Sequence, residues 1–156
     1  MIKRLNYLKI NPKATNGLAA LNKDIASIDN KLRALVELRI SQINGCVYCV
    51  DVHSEQARAA GEMQQHLDCI AVWHECPFFD DSERAALAWA EAVTRLPDTN
   101  APDNVYENLK EYFSEQQIVD LTLIISLMNA WNRLAVGFRH LPDARVSDVI
   151  KLQNEA

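Results

Sequence analysis

The chain has 156 residues, 49% of them hydrophobic and 24% charged, with only 4 Gly and 5 Pro; this is the composition of one compact domain spanning 1–156, which excludes disorder and a second domain. A formal net charge of −5 without any lysine or arginine cluster excludes a nucleic-acid footprint and gives no attraction to anionic membranes. Met1-Ile2-Lys3-Arg4 runs into mixed sequence, not an apolar stretch of signal-peptide length, so a cytoplasmic location is expected.

Residues 1–15 read as a polar leader ending near Pro12, followed by an amphipathic helix over 16–27 through Leu18, Leu21 and Ile25. Leu32, Leu35, Val36, Ile40 and Ile43 then recur at helical spacing behind an Asp29 or Asn30 cap, and Asn44-Gly45 is the stop. The next helix is predicted over 46–60, closed by Gly61, with Ala57, Ala59 and Ala60 permitting close packing. Met63, Leu67, Ile70, Ala71 and His74 mark a fourth helix that stops before Pro77.

Asp80 with Glu83 three residues later forms a capping box ahead of Ala85, Ala88, Trp89, Ala92 and Leu96. Residues 97–102 read as the longest linker, and Val105, Leu109, Tyr112 and Phe113 give a short helix ending near Ser114. Ser114 and Gln117 make a second capping box, opening a stretch over 118–138 that is apolar nearly all round and must be buried. Asp120, Asn129, Asn132 and Arg133 interrupt it, so a membrane span is not expected. Gly137 and Pro142 close it, and a tail through Val149 and Leu152 reads as one more short helix. The nearest rival to a strand, 121–125, lies inside this helical context, so the fold is read as all-α.

The chemistry concentrates in Cys46-Val47-Tyr48-Cys49, with His53 four residues after the second cysteine. At a helix start, unsatisfied backbone N–H groups and the helix dipole favour a thiolate. His53 falls over Cys49, because side chains four apart on a helix lie about 5–6 Å from each other at Cβ. The C-x-x-C spacing lets one thiol react and the other release it as a disulfide. A zinc site from Cys46, Cys49 and His53 with Cys69 or His66 is the alternative use of the same atoms, weakened by the lack of a second close ligand pair. Cys69 and Cys76 otherwise read as free thiols, the first on an apolar helix face and the second in a loop.

Tyr48 is placed to donate a hydrogen bond to a bound peroxide or thiol, or simply to pack. Trp131-Asn132-Arg133 reads as structural, since buried polar side chains usually satisfy backbone carbonyls or pair across subunits. Glu91, Asp120 and Arg95 read as surface or ion-pair residues, and His66, His74 and His140 have no partner comparable to that of His53.

Ser41-Gln42-Ile43-Asn44-Gly45-Cys46-Val47-Tyr48-Cys49 with His53, and Trp131-Asn132-Arg133 later, resemble the alkylhydroperoxidase D-like group of the carboxymuconolactone decarboxylase family. The resemblance covers roughly residues 32–136. It implies a single-domain helical bundle that assembles as a homo-oligomer, a trimer or hexamer. It further implies a thiol-dependent peroxidase or disulfide reductase with no metal or bound cofactor, acting on a hydroperoxide and reduced by an external dithiol. In that family the second cysteine attacks and the first resolves, which here are Cys49 and Cys46, with His53 accepting the proton. The family's relay glutamate, twelve residues before the first cysteine, is replaced by Ala34; Glu37, one turn further along the same helix, is the nearest carboxylate. A non-enzymatic redox sensor or partner-binding oligomer using the same disulfide switch is the other reading.

Overall fold

The computed structural model describes residues 2–143, which are helical with no strand among them. Two short N-terminal helices, α1 (Tyr7–Ile10) and α2 (Pro12–Ala20), lead into α3 (Asn30–Ile43) and α4 (Val47–Ala59). They are followed by α5 (Gln64–Cys69), α6 (Asp81–Thr94), α7 (Leu96–Thr99), α8 (Asp103–Lys110) and α9 (Glu115–Phe138). Helix α3 packs on α4, α6 and α9, so the helix ahead of the cysteines is central to the bundle.

Local chemistry sets the ends. The Asp29 side chain accepts from the Lys31 and Leu32 amides to begin α3, and both expected capping boxes form, Asp80 with Glu83 and Ser114 with Gln117. Asn44 closes α3, and Gly45 turns the chain at φ +64, a left-handed conformation that glycine enters without steric cost.

The expected helix over 16–27 is displaced. Pro12, with φ already set for a first turn, and the Asn11 side chain accepting from the Ala14 amide start α2 earlier, and the helix ends at Ala20. Ile25 and Ile28 are still buried, so their apolar character reports burial of a loop, not a helix face. The fourth helix is also shorter than expected: α5 gives way to a 3₁₀ turn at Ile70–Val72. The expected 97–102 linker is partly helical: α7 starts at Leu96, has Pro97 in its first turn and is closed by Asn100 at φ 52. The expected tail helix lies outside the described residues.

Two apolar clusters form the core. One gathers Val36, Ile40, Trp89, Leu121, Ile124, Ile125 and Met128 around Cys46 and Cys49; the other gathers Leu35, Leu38, Ile70, Trp73, Phe79 and Leu87. Helix α9 is long and apolar enough to cross a membrane, but its Leu121, Ile124 and Ile125 fill the first cluster, as a core helix does. Asp120 corrects the surface or ion-pair expectation. It is buried on α9 and accepts from the Ser27 amide and hydroxyl (3.1 and 2.7 Å) and from Gln116 (2.8 Å), tying the 24–29 loop to the core. Those Ser27 bonds outweigh burial and lower its pKa.

Candidate active site

The end of α3 and the start of α4 carry the dithiol. Cys46 is the N-cap of α4, its Sγ accepting from the Cys49 amide at 3.3 Å, while its own amide donates to the Ser41 carbonyl at 3.0 Å. The two cysteines are joined as a disulfide with their Cα atoms 5.3 Å apart.

The Asn-Gly turn that aims them is held from α9. Asn44 donates to Asn129 at 3.0 Å and to Asn132 at 2.8 Å; Asn132 donates to the Ser41 hydroxyl at 3.3 Å, and that hydroxyl donates to the Glu37 carbonyl at 2.7 Å. Asn129 also donates to Thr94 and accepts from Arg133. Asn132 and Arg133 therefore act as structural residues, with Asn129 as a partner the motif did not single out.

Next to the dithiol lies an open cavity of about 600 Å³, whose walls include Cys49, His53, Glu37, Tyr48, Tyr7 and Trp131. Cys46, only 1% exposed, is not part of the wall. His53, one turn after Cys49 on α4, brings Nδ1 to 3.2 Å from the Glu37 Oε2, close as an ion pair although the ring N–H is not aligned as a hydrogen bond. Glu37 also accepts from Arg33 Nε at 3.0 Å, and Arg33 reaches back to Asn22 at 2.7 Å. Burial alone would raise the Glu37 carboxyl, but His53 and Arg33 outweigh it and hold it below the usual carboxylate value.

Each sequence-derived site residue thus lies in this region: Glu37, Tyr48, Cys49 and His53 on the cavity wall, Cys46 behind it. The spacing of residues did not reveal Tyr7, Arg33, Asn22 or His140. Tyr7 and Asn22 arrive from the N-terminal segment, and His140 packs on Tyr48 with ring centroids 4.2 Å apart.

The other histidines and cysteines sit elsewhere. His66 lies against Glu62, His74 against Trp73 and 4.0 Å from Glu91, and of the two free thiols Cys76 is buried in the second cluster and Cys69 packs against it. Among the described residues, neither His66 nor Cys69 gathers with Cys46, Cys49 and His53 at metal-ligand spacing, as the zinc alternative required. Glu91 is the ion-pair residue expected, 2.7 Å from Arg39 and accepting from Trp73 at 2.9 Å.

The all-helical bundle with a Cys46–Cys49 pair at a helix start is of the alkylhydroperoxidase D-like class. The chain belongs to the carboxymuconolactone decarboxylase family, whose model matches residues 12–92. It is 38% identical to YdfG of Bacillus subtilis (strain 168), an uncharacterized protein, over 88% of this chain and 95% of that one. It is also 38% identical, with a TM-score of 0.89, to ATU0492 from Agrobacterium tumefaciens, a protein of unknown function proposed to be the antioxidant defence protein AhpD; the match covers 92% of this chain and 100% of that one. The debrominase Bmp8 has the same fold at 24% identity and TM-score 0.78, covering 88% of this chain and 75% of that one.

Proposed function

We propose that this protein is a thiol-dependent antioxidant enzyme that reduces hydroperoxides through a Cys46/Cys49 dithiol–disulfide cycle. The observation that carries this reading is the division of labour around the cavity: Cys49 and His53 line it, and Cys46 waits behind at bonding distance. His53 takes the proton of Cys49, and Glu37, held by Arg33, orients the ring and stabilises its charged form. The Cys49 thiolate attacks the distal peroxide oxygen, the O–O bond breaks, and the leaving alkoxide takes up a proton; the products are an alcohol and a Cys49 sulfenic acid. The Cys46 thiol attacks that sulfur, water leaves, and the disulfide forms. An external dithiol reduces it by exchange, which fits a reducing cytoplasmic setting. No metal is used at this dithiol.

Tyr7, Tyr48, Leu127 and Trp131 give aromatic and apolar surface to a cavity that Asn22, Arg33 and Gln56 also line, which favours an organic hydroperoxide as substrate, with Tyr48 donating to its oxygens. Steady-state consumption of cumene hydroperoxide, with a dithiol donor in excess, tests this. Many turnovers per chain are expected. Oxidation that stops after one equivalent would favour a redox sensor, a reading supported by the Cys46 sulfur capping α4, since oxidation then acts on a helix end.

A further inference from the structure

Beside the second apolar cluster lies a set of groups the dithiol chemistry does not use. Glu62, His66 and Glu83 each offer a ligand atom, and these atoms lie within 4.8 Å of one another. Three local features bring them together. Gly61 turns the chain at φ +86, and the Glu62 amide donates to the Ala57 carbonyl at 2.9 Å, which folds the Glu62 side chain inward until it is fully covered. His66 projects from α5 into an aromatic slot, its ring 4.8 Å from that of Phe79. Glu83 is in the first turn of α6, where one carboxylate oxygen accepts from the Asp80 amide at 3.0 Å.

The polar atoms of this cluster are poorly satisfied for their burial. Glu62 Oε1 accepts from the Met63 amide at 2.9 Å, but Glu62 Oε2 and both His66 nitrogens have no hydrogen-bond partner. His66 Nδ1 approaches Glu62 Oε1 to 2.8 Å without the alignment of a hydrogen bond. Lys31, with an exposed side chain, stands 3.6 Å from Glu62 Oε2. Burial and the nearby Asp80 and Glu62 charges raise the Glu83 carboxyl, against the opposing pull of the Asp80 amide and His66. Buried polar groups are ordinarily hydrogen-bonded, and buried charges are paired or bind metal.

We propose that Glu62, His66 and Glu83 form a binding site for one divalent transition cation of the zinc type per chain. An imidazole with two carboxylates suits zinc, manganese or iron(II), whereas calcium and magnesium prefer oxygen ligands throughout. Tetrahedral zinc with bonds of about 2.1 Å needs ligand atoms about 3.4 Å apart, a closure that side-chain rotation supplies from the present spacing. Lys31 swings into solvent as the cation neutralises the carboxylates, and water takes the fourth position. The site ties the turn after α4 to the first turn of α6 and is separate from the dithiol.

Zinc chloride titration by calorimetry, with equilibrium dialysis for stoichiometry, tests this on the full chain oxidised at Cys46–Cys49, so that those thiols cannot bind metal. One zinc per chain is expected, with affinity reduced at least tenfold in Glu62→Gln and in Glu83→Gln, and a zinc-dependent rise in melting temperature that Glu83→Gln lacks. Glu83 is only partly buried, so that variant keeps the test valid if Glu62→Gln fails to fold. Cobalt(II) should give weak visible bands and no thiolate charge-transfer band. No zinc uptake, equal uptake by Glu83→Gln, or a cobalt–thiolate band reporting Cys69 and Cys76 as ligands would each overturn the proposal.

Discussion

Cys49 lines the cavity, whereas Cys46 caps α4 from behind, and the two should differ in reactivity. Cys49→Ser should abolish turnover and sulfenic acid trapping; Cys46→Ser should leave the first oxidation intact and let the acid accumulate, as dimedone labelling and mass spectrometry would read. Label accumulating on Cys46 in Cys49→Ser, with none on Cys49 in Cys46→Ser, would reverse the roles. His53→Ala should slow the first step and move its pH dependence upward, because a thiol without its base ionises nearer roughly 8.5. Glu37 makes a separate, thermodynamic prediction. Its folded pKa lies below the unfolded value, so its contribution is fully present above the unfolded carboxylate pKa of about 4.3 and fades as pH falls through the folded one. Melting curves of wild type and Glu37→Gln should therefore differ most near neutrality and converge in acid; a gap that widens in acid would refute the pairing. Sequence could name Cys46, Cys49 and His53 because one helix period relates them, and Glu37 only through the family resemblance, as the carboxylate one turn from Ala34. It could not name Arg33's reach to Asn22, or His140 against Tyr48, because these contacts exist only after distant elements pack.

At the level of elements, the α3–α4 junction depends on two devices with distinct costs. Gly45→Ala meets no neighbouring atom within 4 Å, so its penalty is purely the left-handed backbone, roughly 1–2 kcal/mol, measurable by denaturant titration. Asn132, 1% exposed, bonds both Asn44 and Ser41, and Asn132→Ala should cost about 1–3 kcal/mol and also slow turnover by loosening the turn that aims the dithiol. Ser114→Ala removes a cap at an exposed helix start and should cost only about 1 kcal/mol, with turnover unchanged. Helices were legible wherever a cap and an apolar period coincided, as at Asp29, Asp80 and Ser114. They were misplaced at α2, where Asn11-Pro12 is a start signal hidden inside a polar segment, and at Ile25, where a buried loop residue imitates helical spacing.

For the whole molecule, Val119 and Leu123, one turn apart, remain exposed on α9 while its other side fills the core. Burying such a stripe against copies of the chain would offset its exposure, so light scattering at micromolar concentration should give a trimer or hexamer mass; a monomer would remove this prediction. The segment ahead of α1 adds a different consequence. Arg4 donates from its amide to the Phe138 carbonyl at 3.1 Å and from its guanidinium to the Gly137 carbonyl at 2.9 Å, and the Tyr7 ring lies 5.7 Å from that of Phe138. Tyr7, a wall of the cavity, is thus anchored by the C-terminal end of α9. On the ribosome the two cysteines emerge well before that anchor is made, so a nascent chain carries its dithiol without the finished enclosure. The Tyr7 side of the cavity is among the last things biosynthesis completes, and a fusion partner that pulls residue 4 off α9 would leave that wall unset.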